Sequence, residues 1–552
     1  MAGAKNQFSL VRVATIAERE LRRSARKSGT YWTRVLSASV VLLLGATVYL
    51  SSPRGASGAY GPGLLFVALK GMLGAAAAAS GLFLTADCLS EEKREGTLGL
   101  LFLANLGGSE VVLGKLLSTS LRSAYGLLAV FPILAAVFVF GGVTGDEFWR
   151  GLLALVNTLF FSLAAGLFVS SISRRTSRAM SGTFLLAGCF FMGPPLLAWA
   201  CARVHQVALA QWVWMASPGF SLLQAKVAAG DGYWGSTGMV HGWGWMFLIL
   251  SSVCVERQWR TEDRVGTSES IRCPPIWLGR WWVARARSAR LRGLNPVGWL
   301  SSQEEWLDRV WTVGVMGGLL AFGVISVVRG NASSHGALVL VYVLEIVFKI
   351  WVAMEASRFF IETQRAGWLE MLSVSPLSNQ AVVEGHAWGL RRLFLVPCVA
   401  LLALHCAAEA PHIAQLSSGA GSPLGGEELT VHLIEVGLRL MALVTGLTAM
   451  GWFGMWMGLR SKKTGGAVLK TLLFVQILPG LGLDVLRPIL THAMQMEVVG
   501  SALVMGLVSV GSDLVFILVS RQGLHQELRE LASGTTASAR LPSPQAPANS
   551  CG

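Results

Sequence analysis

The sequence predicts an all-α, polytopic membrane protein with about twelve transmembrane helices, built as two parallel six-helix repeats with amphipathic surface helices. Three observations carry that expectation: a charge-poor, apolar composition, a dozen long apolar runs, and a motif that returns 271 residues after its first appearance. Of 552 residues, 53% are hydrophobic and 14% charged, against about 25% charged in soluble chains. The mean hydropathy is +0.56. A chain of this kind has lipid for much of its solvent.

A helix needs about 20 predominantly apolar residues to cross the hydrocarbon core. The runs that meet this within a few residues are 31–50, 64–88, 124–142, 149–172, 180–201 and 240–255, then 310–328, 337–354, 393–408, 431–459, 467–485 and 498–520. The basic residues before the first run (Arg12, Arg19, Arg22, Arg23, Arg26, Lys27) have no cleavage-site pattern behind them. The first span is therefore expected to stay attached.

Arg and Lys near span ends mark the cytoplasmic side. With the N-terminus inside, alternate counting puts nearly all of them inside: 90–120, "SISRRTSR", 256–308, 358–392, "RSKK" and the tail. Loops such as "GGVTGDEF" and "SSGAGSPLGGEE" fall outside, whereas Arg54, Arg203, Lys226, Arg329 and Arg487 run against the bias. The net charge of +14 is thus a consequence of topology, and a nucleic-acid partner is not expected. The expected location is the cell (inner) membrane, multi-pass, with both termini cytoplasmic. The eight cysteines are scattered without a CxxC pair, which predicts neither a disulfide framework nor a metal site.

"REGTLGLLFLANLGGSEVVLGK" and "RAGWLEMLSVSPLSNQAVVEGH" align at a constant offset of 271, pairing Arg94 with Arg365, Gly96 with Gly367, Leu101 with Leu372 and Gly114 with Gly385. Each copy follows a second span and precedes a third. Later landmarks, the basic turns and the pairs Arg257-Gln258 and Arg521-Gln522, recur as well, with an enlarged outside loop near 411–428. Six spans per copy return the chain to the same side, so the copies are parallel. The expected organisation is a first half over 1–265, a basic cytoplasmic linker over 266–295, a second half over 296–530 and a Pro/Ser/Ala-rich tail over 531–552.

The stretch "SEEKREGT" puts five charges between two spans. Ser90 is expected to cap a helix with acids in its first turn, and Leu98, Leu101, Phe102, Val111 and Val112 recur at helical spacing. One side should be apolar, with the charged end in water.

On these residues the chain resembles the type-2 ABC exporter permeases. "EEKREGTLGLL…LGK" and its echo "RAGWLEMLSVSPLS…EG" are similar to the stretch that joins spans two and three in that family. "LNPVGWLSSQEEW" and "VRVATIAERELRRSARK" resemble its surface helix before a first span. The resemblance implies six spans per half and a coupling segment gripped by a cytosolic ABC ATPase subunit, in two copies. The coupling residues are then Glu91, Glu92, Arg94, Glu95, Gly96, Arg365, Gly367 and Glu370. The copies differ: Gly99 stands opposite Glu370, Ala104-Asn105 opposite Ser375-Pro376, and Glu95 opposite Ala366.

No ATPase motif is present. "GSEVVLGKL" has one residue too many between its glycines and Leu116 in place of the hydroxyl a P-loop needs. No cofactor is expected in this chain, with ATP bound by the partner, and no catalytic or metal-ligating residues are assigned.

Glu345 precedes Lys349, and Glu435 precedes Arg439, by four residues inside predicted spans. This is the favourable helix order, and a lone charge there costs about 2.5–3.5 kcal/mol on insertion scales. The pairs are either charges along a translocation path or local neutralisation that lets a helix insert. Asp513, Asp484 and Lys470 are further charges with no visible partner. Two other functions remain open: an ion-coupled secondary transporter, for which Pro194-Pro195 and Pro479 would break corresponding fifth spans, and a membrane-embedded enzyme acting on lipid-linked substrates. The dispersed histidines form no recognised catalytic string.

Overall fold

The computed structural model describes residues 60–104, 106–139, 143–174, 176–203, 207–226, 231–262, 334–367, 378–419, 423–488 and 498–532, with the isolated positions 18, 22, 39, 42 and 490. The described residues are helical, without a strand, and seven of the helices are long and apolar enough to span a bilayer. The protein is all-α and polytopic. The chain divides into two compact units, 1–272 and 273–552.

The first unit contains α1 (Tyr60–Ser80), which runs through a π turn (Gly81–Thr85) towards α2 (Cys88–Arg94). It continues with α3 (Thr97–Leu103), α4 (Gly108–Val139), α5 (Gly145–Ile172) and α6 (Thr176–Arg203). Two short helices, α7 (Val207–Met215) and α8 (Pro218–Gln224), precede α9 (Asp231–Glu262). The second contains α10 (Ser334–Arg365), α11 (Asn379–Gly419), α12 (Pro423–Arg460), α13 (Thr464–Thr471), a π turn (Leu472–Ile477), α14 (Leu478–Pro488) and α15 (Val498–Ala532). Ten of the twelve predicted runs fall in these helices; 31–50 and 310–328 lie outside the described residues, except for positions 39 and 42. So do the Trp/Arg linker 273–293, the Asn-Pro segment 294–306, and Asn331.

The repeat extends to helix boundaries. α2 and α10 end at Arg94 and Arg365, and α4 and α11 begin at Gly108 and Asn379, each pair 271 residues apart. Beyond the enlarged loop the offset becomes 288: α5 and α12 end at Ile172 and Arg460, and α6 and α13 begin at Thr176 and Thr464. Fine detail follows this register. Thr183 Oγ1 donates to Ala179 O at 2.7 Å, and Thr471 Oγ1 to Ala467 O at 2.9 Å.

α5 is the hub of the first unit, touching α1, α4, α6 and α9; α12 is the hub of the second, touching α10, α11, α13 and α15. Their cores use equivalent positions. Leu89, Val112 and Leu167 lie in one cluster, and Phe360, Val383 and Met455 in the other. Where α1 crosses α5 the backbones nearly touch. A Cβ on Gly166 would sit 2.6 Å from Gly81 O, and a Cβ on Gly81 would overlap Ser162 O. Small residues at such a crossing let membrane helices approach closely, and the π turn lies there. Gly81 N donates to Ser162 Oγ at 2.9 Å, and Thr85 Oγ1 to Leu163 O at 3.0 Å.

Two expectations are corrected. Pro194-Pro195 do not break their span, because α6 runs through both. Proline lacks the N–H that would reach the carbonyl four residues earlier, and the Phe191 carbonyl that Pro195 frees accepts Ser217 Oγ at 3.3 Å. Pro479 does follow a helical irregularity, the π turn 472–477, before α14 continues. Ser90 is not a helix cap either: Asp87 occupies the N-cap of α2, and Ser90 Oγ donates to Asp87 Oδ1 at 2.6 Å.

Candidate functional site: two coupling turns and a buried polar ladder

The charged stretch of the first unit is a helix end folded into a turn. Glu95 N donates to Glu91 O at 3.0 Å and Gly96 N to Lys93 O at 3.4 Å. Gly96 then takes the left-handed conformation, φ 68°, which a Cβ disfavours. The chain turns sharply here and α3 begins.

The charges divide in two. Glu92 faces inward: its carboxylate accepts Lys115 Nζ at 2.8 Å and Thr97 Oγ1 at 2.9 Å, tying α2 to α4 and to the start of α3. Lys93 Nζ donates to Ser171 O at the end of α5 and to Gln258 Oε1 at 2.5 Å on α9. Arg94 pairs back to Asp87 at 3.2 Å. These bonds make the turn part of the bundle rather than a solvated tether. The outer surface is left to Arg94, Glu95 and Gly96 together with Leu100 and Leu103, which are 64% and 75% exposed. The inner side of α3 packs Leu98, Leu101 and Phe102 on the core. α3 is therefore apolar on both sides, not one.

The second unit has the same turn. Ala366 N donates to Glu362 O at 3.0 Å and Gly367 N to Gln364 O at 3.2 Å, each bond 271 residues after its counterpart. Gly367 has φ 70°; it and Gly96 are the two positive-φ glycines among the described residues. Gln364, in the place of Lys93, donates to Leu459 O at 2.8 Å at the end of α12. Arg365 Nη2 donates to Lys462 O at 2.6 Å. Glu370 lies outside the described residues.

The two predicted charge pairs and Asp513 lie in the second unit, in two layers. In the inner layer Lys349 Nζ reaches Glu345 at 2.6 Å, and His405 Nε2 of α11 lies 3.4 Å from the other Glu345 oxygen. Thr445 Oγ1 of α12 donates to Asp513 Oδ2 of α15 at 2.8 Å. In the outer layer Arg439 bridges Glu435 at 2.6 Å and Glu409 at 3.1 Å, and His432 Nε2 stands 3.4 Å from Glu409. His412 lies against His432 with ring centroids 4.6 Å apart and the rings tilted by 35°. Lys349 is deep, at 9% side-chain exposure; Arg439, at 43%, reaches the surface. No group of His, Cys, Asp or Glu among the described residues is arranged to hold a metal ion.

Residues 11–226 match the model of the ABC-2 type transporter family. No curated protein matches the chain. The matched stretch includes the whole first charged turn, Glu91 to Gly96, and the hub helix α5 that holds it.

The sequence paired Glu345 with Lys349 and Glu435 with Arg439, and the structure joins both pairs as drawn. It left Asp513 alone and did not single out Glu409, His405 or His432 for this site. Those four sit on other helices or other turns, and only the packing of α10, α11, α12 and α15 brings them in. Spacing along one helix groups His405 with Glu409 and His432 with Glu435, but does not join α10, α11, α12 and α15.

Proposed function

We propose that this chain is a fused permease of an ATP-binding-cassette exporter, in which both halves form the translocation pathway and a separate cytosolic ATPase, in two copies, supplies the energy. The family match over 11–226 supports the permease class for the first half. The observation that carries the fused reading is the second coupling turn, with the same hydrogen bonds and the same left-handed glycine 271 residues on. A left-handed glycine turn kept at two equivalent positions is what one docking geometry used twice would require.

In this reading each ATPase contacts an exposed rim: Arg94, Glu95, Leu100 and Leu103 in the first half, and the segment from Arg365 towards Glu370 in the second. Inward-facing Glu92 and Lys93 transmit movement of that rim to α4, α5 and α9, because they bond to all three. ATP-driven closure of the partner would then rock the two hub helices. The chain itself hydrolyses nothing, works in the cell (inner) membrane, and keeps both termini cytoplasmic.

The test is purification from native membranes with mass spectrometry of the complex. A subunit carrying a Walker motif is expected to co-purify with the wild type and to be lost from the double variant L100D/L103D, whose changes are confined to exposed side chains. ATP-dependent transport in vesicles should fall in parallel. Recovery of the chain without any such ATPase, with transport driven by an ion gradient alone, would overturn the reading in favour of a secondary transporter.

A further inference from the structure

The polar ladder of the second unit is one positive charge short in each layer. The inner layer has two carboxylates, Glu345 and Asp513, against one permanent cation, Lys349. The outer has two, Glu409 and Glu435, against Arg439. Each layer also has a histidine 3.4 Å from a carboxylate, without an aligned hydrogen bond in the present arrangement. Local neutralisation explains a Glu–Lys pair four residues apart. It does not explain a third and fourth helix that bring further acids to the same place. An uncompensated charge in a span is costly, and one proton per layer removes it.

We propose that the second unit binds protons at these two stacked sites, with Asp513 as the inner acceptor. Asp513 is 7% exposed. Its bonded partner is a hydroxyl, since the Lys349 ammonium is engaged by Glu345. Room for the arrangement comes from Gly446, where a Cβ would lie 3.5 Å from Asp513 Oδ2 and 3.9 Å from Lys349 Cε. The groups that face the sites come from four helices. α10 gives Tyr342, Glu345 and Lys349, α11 gives His405, Glu409 and His412, α12 gives His432, Glu435, Arg439 and Thr445, and α15 gives Asp513. α14, which packs on α15, carries Asp484 and Arg487 in sequence. His405 and Glu409 are one helical turn apart on α11, and Tyr342 stands 6.3 Å from His405, ring to ring. Protonatable groups therefore continue from the exposed layer to the deep one. This differs from the coupling reading, because it needs neither ATP nor a partner.

A hydrophobic carbodiimide, dicyclohexylcarbodiimide, tests it on the purified full-length protein in detergent. The reagent adds to a protonated carboxyl: the acid proton passes to a carbodiimide nitrogen, and the carboxyl oxygen bonds the central carbon. The adduct on the Asp513 peptide is counted by mass spectrometry between about pH 6 and about pH 9, and should fall about tenfold per pH unit once above the titration point. Sodium chloride at constant pH should leave it unchanged. As a second measure, D513N should take up about one proton fewer per chain on acidification, read with a pH-sensitive dye. Absence of adduct at every pH, or a yield that does not vary with pH, overturns the proposal. Protection by sodium at constant pH also overturns it, by making the site one for a metal cation. The wild-type series decides even if the variant does not fold.

Discussion

The two units build the same bundle around the same hub and fill it with different chemistry. At the positions equivalent to Glu345, Lys349, His405, Glu409 and Asp513, the first unit has Gly74, Ala78, Leu134, Phe138 and Ile249. Where α12 offers Thr445 to Asp513, α5 offers Asn157, whose amide donates to Thr237 O at 2.9 Å and meets His241 Nδ1 at 3.1 Å. At these positions the first interior is apolar apart from the contacts of Asn157, whereas the second is ionic. The coupling turns agree down to single hydrogen bonds. The two units agree in the turns at their helix ends and differ in the interior side chains.

The largest effect expected from that contrast concerns two buried lysines. K349M strands Glu345 and Asp513 together and should cost about 3–5 kcal/mol, the usual penalty for breaking one side of a buried ion pair. Lys70, in the first unit, is 4% exposed; its Nζ has no hydrogen-bond partner among the described residues and lies 5.4 Å from the Phe66 ring centre. K70M should therefore be neutral or stabilising. Thermal unfolding of both variants in one detergent checks the pair, and equal losses would refute an ionic–apolar division.

Next comes helix crossing. G166A should lose about 1–3 kcal/mol, because backbone at Gly81 blocks the new methyl. Its register equivalent G454A should lose less, since its nearest atom is the Ala356 Cβ at 3.0 Å. The same unfolding assay orders them.

Much of this was legible in the chain itself. Composition declares the solvent, and the spans follow because a bilayer demands long apolar runs. The repeat was legible because Arg94, Gly96, Leu101 and Gly114 each keep their spacing to a partner. The π turn at Gly81–Thr85 was not, since its cause is Ser162 and Gly166 on a helix some 80 residues away. Nor was the inward turn of Glu92, whose partner Lys115 lies beyond a sharp bend. Pro194-Pro195 misled for a related reason: the hydroxyl that satisfies Phe191 O comes from Ser217, on another segment.

Within the coupling turn, E92Q should cost about 1–3 kcal/mol by weakening the bonds to Lys115 and Thr97. E95Q, on the exposed side, should stay within about 0.5 kcal/mol yet weaken ATPase capture. Smallest of all should be any difference between G96A and G367A. Among the described residues nothing lies within 4 Å of a Cβ at either glycine, so each variant pays for its left-handed backbone, about 1–2 kcal/mol. Unequal losses would show that the turns are not equivalent.

The central claim is that one docking geometry occurs twice on one face of the membrane. Glu95 and Ala366 are exposed and stand 271 residues apart at matching places in the two turns. Single cysteines there, E95C and A366C in a background without the native cysteines, can be reacted with a membrane-impermeant maleimide in inside-out and right-side-out vesicles. Both should label from the cytoplasmic side alone; labelling of the two from opposite sides would contradict the claim.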